Sequence, residues 1–460
     1  MGKNVDKVIF LCKECGNEFS KWSGKCPMCN AWNTLSEYKV KDTRYILKSI
    51  SLDKGNVSFK PLKEVLGEEA ERLDLQDKEL NRVLGGGLVK GSVVLIAGEP
   101  GIGKSTLILQ TLLNTKGIRT LYISGEESEK QIKLRADRVV ETIPHENFLI
   151  YCETHLEKIL EICKEASPDL VIVDSIQTIF TEQIDSSPGS LTQVRECATR
   201  LMAYAKNTDI PILLIGHITK DGSIAGPKIL EHLVDTVLQF EGDTNYQYRL
   251  LRANKNRFGS TSEIGIYEMR QNGLRGVENP SELLITRREE QLSGICVGCA
   301  MEGARPILIE IQSLVSSAVY GTPQRSSTGV DGKRMNMLLA VLEKRAGFKL
   351  IQKDVFLNIT GGLKLSDTAL DLSILAAVLS SNLDLPIPTN ICVAGEVGLS
   401  GEIRPISRIE QRVGEAQRIG FETIIIPTQN LQGIDLNKYK IKVVGVSRVD
   451  QAFNFLFRGR

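Results

Sequence analysis

The sequence predicts an α/β protein whose central part is built on a mostly parallel sheet. Three observations carry that expectation. Between about residues 59 and 275, short apolar runs alternate with stretches of helical periodicity, the pattern of right-handed βαβ crossovers. The run Val93-Val94-Leu95-Ile96-Ala97 passes through a glycine-rich turn straight into the helix-like Leu107-Ile108-Leu109-Gln110. Ahead of both lies a pair of Cys-x-x-Cys knuckles, in a stretch too short to bury a useful core of its own.

At 460 residues the chain is long enough for about three domains. Apolar residues at 42% and charged residues at 25% describe an ordinary globular composition. A net charge of +1 excludes a uniformly basic molecule, so any nucleic-acid contact must come from local clusters. No apolar run approaches the roughly 20 residues of a membrane span. The first residues, Met1 to Lys7, lack the apolar core of a secretory signal, which predicts a cytoplasmic protein without membrane contact. Ten cysteines in such a compartment point to metal ligands or buried thiols in preference to disulfides.

In chain order, Cys12, Cys15, Cys26 and Cys29 come first. Two such pairs can place four thiolates around one tetrahedral Zn²⁺, and turn-prone Gly16 and Asn30 follow them. Lys13, Lys21 and Lys25 offset the charge of the site. With all four positions filled by protein, the zinc is structural, and metal binding supplies most of the folding free energy. Residues 37–58 are polar and weakly patterned and are expected to be a linker.

The segment Gly98, Glu99, Pro100, Gly101, Ile102, Gly103, Lys104, Ser105 and Thr106 matches the P-loop spacing in its required strand–turn–helix context. The glycines let successive N–H groups face a phosphate, and the helix adds its positive dipole end. Lys104 can reach the β- and γ-phosphates of ATP, and the Ser105 hydroxyl can ligate Mg²⁺. Thr120–Ser124 is a buried-strand pattern that ends in Glu126 and Glu127. A carboxylate at the end of the strand neighbouring the P-loop strand could orient the attacking water, with Glu126 better placed than Glu127, or the pair could be a solvated acidic helix start. Leu170–Val173 is apolar throughout and ends in Asp174, a Walker-B arrangement holding Mg²⁺. Ile212–Gly216 ends at His217, a γ-phosphate sensor or a satisfied core histidine. The loop beyond, residues 219–228, carries two lysines and is a natural place to grip a polymer. Arg252, Lys255 and Arg257 then concentrate charge, as a DNA patch, as cationic fingers on a neighbouring subunit's ATP, or as a solvated basic turn.

The knuckles, the P-loop, Ser124-Gly125-Glu126-Glu127-Ser128, Gly216-His217-Ile218-Thr219-Lys220-Asp221-Gly222 and Lys255-Asn256-Arg257-Phe258-Gly259 occur in one order. Together they resemble the bacterial RadA (Sms) family of DNA-repair proteins, over essentially the whole chain. The resemblance implies a zinc finger at 1–36, a linker at 37–58 and a RecA-like ATPase core at 59–278. It implies a homo-oligomeric ring, hexameric, around single-stranded and branched DNA, promoting branch migration beside the RecA recombinase. The alternative is an ATP-switched DNA-binding mediator that never translocates. RecA-type and DnaB-type cores place a Lys-x-Arg near this point in trans, which strengthens the finger role of Lys255 and Arg257.

Residues 279–460 resemble the Lon-protease α+β domain, through Gly395 to Ile406 and the helix that follows. A Lon-type peptidase needs a serine activated by a lysine. Those positions fall on Leu370 and Glu410, which predicts a scaffold without peptidase activity; Lys364 and Ser366 lie close by at the wrong spacing. Lys333, Arg334, Lys344, Arg345 and Lys349 suggest a basic surface, as DNA contacts or as ordinary solvated helix faces. Cys296 and Cys299 form a lone Cys-x-x-Cys without partners for a metal, and buried thiols are expected there.

Overall fold

The computed structural model describes residues 7–12, 18–28, 30–40, 71–140, 147–217, 228–242, 247–286, 290–318, 322–363 and 365–457. The chain divides into two compact units, Met1–Thr244 with Arg249–Gly276, and Asn245–Tyr248 with Val277–Arg460.

The first unit begins with a three-stranded antiparallel ribbon. β1 (Lys7–Cys12) lies between β2 (Glu18–Phe19) and β3 (Leu35–Val40). Residues 37–40, expected as linker, are the last four residues of β3. Glu37 pairs with Phe10 and Val40 with Lys7, so the backbone polar groups of both strands are satisfied across this ladder. The ribbon's core is Cys12, Cys26 and Leu35, flanked by Phe10 and Phe19. So small an interior cannot hold a fold by burial alone.

A short pair, β4 (Arg72–Leu73) and β5 (Leu88–Val89), leads into the main sheet. Its strands are β6 (Val93–Gly98), β7 (Thr120–Ser124), β8 (Phe148–Cys152), β9 (Leu170–Asp174), β10 (Ile212–His217), β11 (Thr236–Glu241), β12 (Tyr248–Asn256), β13 (Ile264–Arg270) and β14 (Gly273–Gly276). Their order is β14-β13-β12-β11-β6-β10-β9-β7-β8, parallel from β11 to β8. Alternate side chains enter two separate cores. Val94, Ile96, Ile172 and Ile215 face one layer of helices, while Leu95, Ala97, Val173 and Leu214 face the other. Burial on both faces explains why these strands are continuous apolar runs. It also aligns the carboxyl ends of β6, β10, β9 and β7 along one edge, the crevice where open parallel sheets bind ligands.

The second unit is a mixed seven-stranded sheet. Its strands are β15 (Ile295–Glu302), β16 (Arg305–Ser317), β17 (Arg325–Thr328), β18 (Lys353–Ile359), β19 (Ile391–Val393), β22 (Thr423–Pro427) and β23 (Lys442–Val446), ordered β17-β18-β16-β15-β19-β22-β23. A hairpin, β20 (Glu396–Val397) with β21 (Ile403–Arg404), stands apart. This is a Lon-protease-like α+β arrangement. Leu370 is buried at the start of the helix Asp371–Leu383, and Glu410 is exposed. Lys364 lies outside the described residues. Arg334 departs from the expected basic surface: both arms of its guanidinium donate to buried Asp371, whose carboxylate also accepts from the Val397 N–H at 3.0 Å. A buried carboxylate demands such a partner. Lys333, Lys344, Arg345 and Lys349 remain exposed. Cys296 and Cys299 are buried, and burial pushes Cys299 up to about 12 and Cys296 well above the ordinary thiol range.

Candidate active site

The P-loop joins β6 to the helix Lys104–Asn114. Gly101 and Gly103 adopt φ of 78° and 112°, the left-handed region that only glycine enters cheaply. Helix Lys78–Leu84, by contrast, is capped by the Asp77 carboxylate, which accepts from the Glu79 and Leu80 N–H groups. The P-loop helix has no side-chain cap at Gly103, so its first turn presents N–H groups to an anion. Gly98, Glu99, Pro100 and Ile102 form the remainder of the turn, and Ser105 and Thr106 lie in the first helical turn.

Lys104 is 4% exposed. Its ammonium donates to the carbonyls of Gly98 at 2.8 Å and Glu99 at 2.9 Å, and lies 3.3 Å from His217 Nδ1. Desolvation pulls its pKa down to about 8, against the raising effect of Asp174 and Glu126. The cationic group of the P-loop therefore waits in a place that disfavours its charge, a cost that a polyphosphate removes.

Strand order brings the other groups to Lys104. β10 lies between β6 and β9, with His217 opposite Gly98 and Ile215 opposite Asp174. β7 follows β9, with Ser124 opposite Asp174. Glu126 thus does not follow the strand next to the P-loop strand, as expected; two strands intervene. It reaches the site because the turn after β7 folds back. Ser124 Oγ donates to the Glu127 carbonyl and accepts from the Glu127 N–H, fixing that turn. Glu127 is thereby directed to Arg135, with which it forms an ion pair, and burial raises its carboxyl above the usual range. Glu126 is left in the cleft, where its Oε1 accepts from Ser175 Oγ at 2.5 Å and lies 3.4 Å from His217 Nε2. The histidine tautomer protonated on Nε2 satisfies both contacts, accepting from Lys104 and donating to Glu126. Asp174 is buried, and its Oδ2 accepts from Tyr122 Oη at 2.5 Å. Burial, then the Asp174 charge, holds the Tyr122 phenol well above its ordinary range, so it stays a donor. The Ser105 hydroxyl and the Asp174 carboxylate are an all-oxygen donor set that suits Mg²⁺.

Lys255 and Arg257 are elsewhere. Lys255 lies in register with Val237, and Val237 with Leu95, three residues before Gly98. Its ammonium caps the end of the helix Lys228–Leu233, donating to the carbonyls of Glu231 at 2.8 Å, His232 at 3.3 Å and Val234 at 2.7 Å. Burial lowers its pKa, as does the neighbouring Arg257. Arg257 is half-exposed and pairs with Asp235 at 3.1 Å, whose other oxygen accepts from the Val93 N–H at the start of β6. Both cations sit at the amino end of the sheet, roughly 10–17 Å along the strands from their own P-loop. Asn256 donates to the carbonyls of Val83 and Leu84 and accepts from the Phe258 N–H, while Arg72 donates to the Phe258 carbonyl at 2.7 Å. Local sequence gave no signal for Ser175, Tyr122, Asp235 or Arg72, because Glu126, Asp174, Arg257 and Phe258, through which they act, lie 22 or more residues away.

On the ribbon, Cys12 and Cys26 are fully buried, and Asn30 adopts φ of 62° in the turn that its N–H closes onto the Cys26 carbonyl. Cys15, Cys29 and Gly16 lie outside the described residues, as does most of the lysine-bearing loop 219–228. Two buried thiols at the knuckle suit a thiolate-bound metal.

Residues 10–37 match the rubredoxin metal binding domain, residues 59–223 an AAA domain, and residues 315–430 the subunit ChlI of Mg-chelatase. The DNA repair protein RadA of Bacillus subtilis (strain 168) is 49% identical over 450 residues, covering 97% of this chain and 98% of that one. The chain belongs to the RadA family. The RadA protein of Halalkalibacterium halodurans is 47% identical over 97% of this chain and 98% of its own, and that of Pseudomonas aeruginosa 45% identical over 98% and 99%. A KaiC-like protein, PH0186 of Pyrococcus horikoshii OT3, covers 45% of this chain and 99% of its own at 17% identity and a TM-score of 0.37; the RecA-like fold rests on the strand order, not on that likeness. RadA membership and the AAA-domain match make the first unit's main sheet that of an ATPase. Among the described residues no helix is long and apolar enough to cross a membrane.

Proposed function

We propose that this chain is a DNA-dependent ATPase of homologous recombination and repair, which promotes branch migration and unwinding of recombination intermediates with the RecA recombinase. Lys104 and the P-loop amides bind the ATP phosphates, Ser105 and Asp174 hold Mg²⁺, and Glu126 takes the proton of the attacking water. Ser175 fixes the Glu126 carboxylate, and His217 links it to Lys104. Cys12, Cys15, Cys26 and Cys29 hold a structural Zn²⁺ in residues 1–36. Residues 279–460 act as a scaffold without peptidase activity, since neither Leu370 nor Glu410 can perform the serine–lysine chemistry. The protein works in the bacterial cytoplasm.

The observation that carries the proposal is the separation of two half-sites on one chain. The hydrolytic groups occupy the carboxyl edge of the sheet, while Lys255 and Arg257 occupy the other end, out of reach of their own nucleotide. A head-to-tail ring, hexameric in the RadA proposal, unites them, with the neighbour's cations against the transferred phosphoryl group. Opening and closing of that junction couples turnover to movement on DNA.

Complementation tests it. Arg257→Ala and Glu126→Gln chains should each be inactive alone while carrying intact opposite halves. Random 1:1 rings should recover about a quarter of the parental ATPase, the fraction of junctions with both halves intact. No recovery in rings shown to be mixed refutes the shared site. A three-strand branch-migration assay with ATP and the RecA recombinase tests the motor, and ATP-dependent DNA binding without strand movement would favour the switched mediator.

A further inference from the structure

The chain has two tryptophans, and both stand on the metal ribbon. Neither is in its core: Trp22 is 60% exposed and Trp32 71%. Among the described residues the ribbon's interior is filled by Phe10, Phe19, Leu35, Cys12 and Cys26, so packing does not account for either indole. Two indoles left in water side by side on one small ribbon form an apolar patch, and such patches mark interaction sites.

The two rings flank one small piece of backbone. Lys25 and Trp32 are antiparallel bridge partners, and the Asn33 N–H donates to the Gly24 carbonyl at 2.8 Å beside them. The Trp22 ring reaches Gly24, with Cη2 3.8 Å from where a β-carbon would stand. Lys25 Nζ is 5.8 Å from the centroid of the Trp32 ring, and Lys21 is exposed next to Trp22. From Ser20 to Thr34 there are two lysines and no carboxylate. Lysine is depleted at protein–protein interfaces, whereas flat aromatic faces interleaved with cations are what grooves for single strands use.

We propose that this surface is a stacking platform for single-stranded DNA, with Trp22 and Trp32 receiving unpaired bases and Lys21 and Lys25 the phosphates on either side. Stacking on indole tolerates any base, which suits a protein that must follow branch points through arbitrary sequence. The platform rests on the DNA-dependent function proposed above and assigns the ribbon a part in it beyond holding metal.

Because the chain has no other tryptophan, its emission excited beyond the absorption of its tyrosines reports this surface alone. Titrating the full-length chain with a 20-nucleotide oligothymidylate should quench that emission, and a duplex of equal length should quench it far less. Trp32→Ala should weaken binding of a labelled oligothymidylate at least fivefold by anisotropy, with zinc content unchanged. Lys21→Ala with Lys25→Ala should lower the slope of log K against log salt by about 1.4, two phosphates' worth on a single strand. If anisotropy shows binding while the emission and the Trp32→Ala affinity stay at parental values, the platform is wrong and the DNA function stands. If no single-stranded oligonucleotide binds at all, both fall. Emission that responds only to an added protein overturns the assignment to DNA.

Discussion

The sharpest consequence of the P-loop geometry is a pH dependence of nucleotide affinity. Desolvation holds Lys104 at about 8. A bound polyphosphate returns the ammonium to its ordinary range, near 10.4 or above. Binding then takes up a proton wherever the lysine has lost one, so affinity must fall as pH rises through the lower value. Below pH 8 the lysine is charged in both states and affinity is flat. Between pH 8 and about 10.4 affinity falls tenfold per unit, making the dissociation constant at pH 9.5 roughly 30 times that at pH 7. Calorimetric titration with ADP at pH 7, 8 and 9.5 measures it directly. Lys104→Arg is the control, because a guanidinium does not titrate in this range and its affinity, whatever its level, should lose the slope. The shift runs the other way for folding. The folded chain holds fewer protons here than the unfolded chain between those two values, so the contribution of Lys104 to stability rises with pH while affinity declines. A dissociation constant constant within threefold from pH 7 to 9.5 would refute the desolvated lysine.

Other outcomes follow from named contacts. Glu126→Gln should bind ATP at parental affinity but lose about 10²–10³-fold in turnover, and retained turnover would remove it as the base. Ser175→Ala should lower kcat roughly tenfold at unchanged KM, with Ser175→Thr restoring it; a change confined to thermal stability would make Ser175 merely structural. Arg412 is 1% exposed and donates to Asp367 at 2.7 Å and to the carbonyls of Ser407 and Cys299. Arg412→Met leaves Asp367 with only the Met301 and Ala369 N–H groups and should cost about 1–3 kcal/mol, read from hydrogen exchange in the helix Ile409–Ile419; unchanged protection there contradicts it. Purified chain should carry one zinc, and Cys26→Ser should release it and melt the ribbon; an absence of zinc in the parental chain would sink the structural-metal assignment.

The parts of the site that lie within a few residues of one another were legible in the chain. Gly98 to Thr106 announces a phosphate cradle because a strand, a tight turn and a helix start must follow in immediate succession. The Cys-x-x-Cys spacing and the apolar runs ending in Asp174 and His217 are of the same kind. Less legible was the boundary after the ribbon, since the polar strand Leu35–Val40 pairs at an exposed edge and shows no apolar pattern. Arg334 looked like one more surface cation, because nothing near it in sequence reveals that Asp371 lies buried across from it.

What the sequence by itself determined is therefore the residue types on offer: a glycine-rich P-loop, acidic residues at strand ends, two Cys-x-x-Cys pairs and a run of basic residues, each set by local spacing. Only the tertiary structure decided who meets whom. Inserting β10 and β9 between β6 and β7 placed His217 between Lys104 and Glu126, and the Ser124 turn chose Glu126 over Glu127. The antiparallel return of β12 carried Lys255 and Arg257 to the far end of the sheet. Strand order and direction are global choices, made by burying two apolar faces at once, and no local window of residues encodes them.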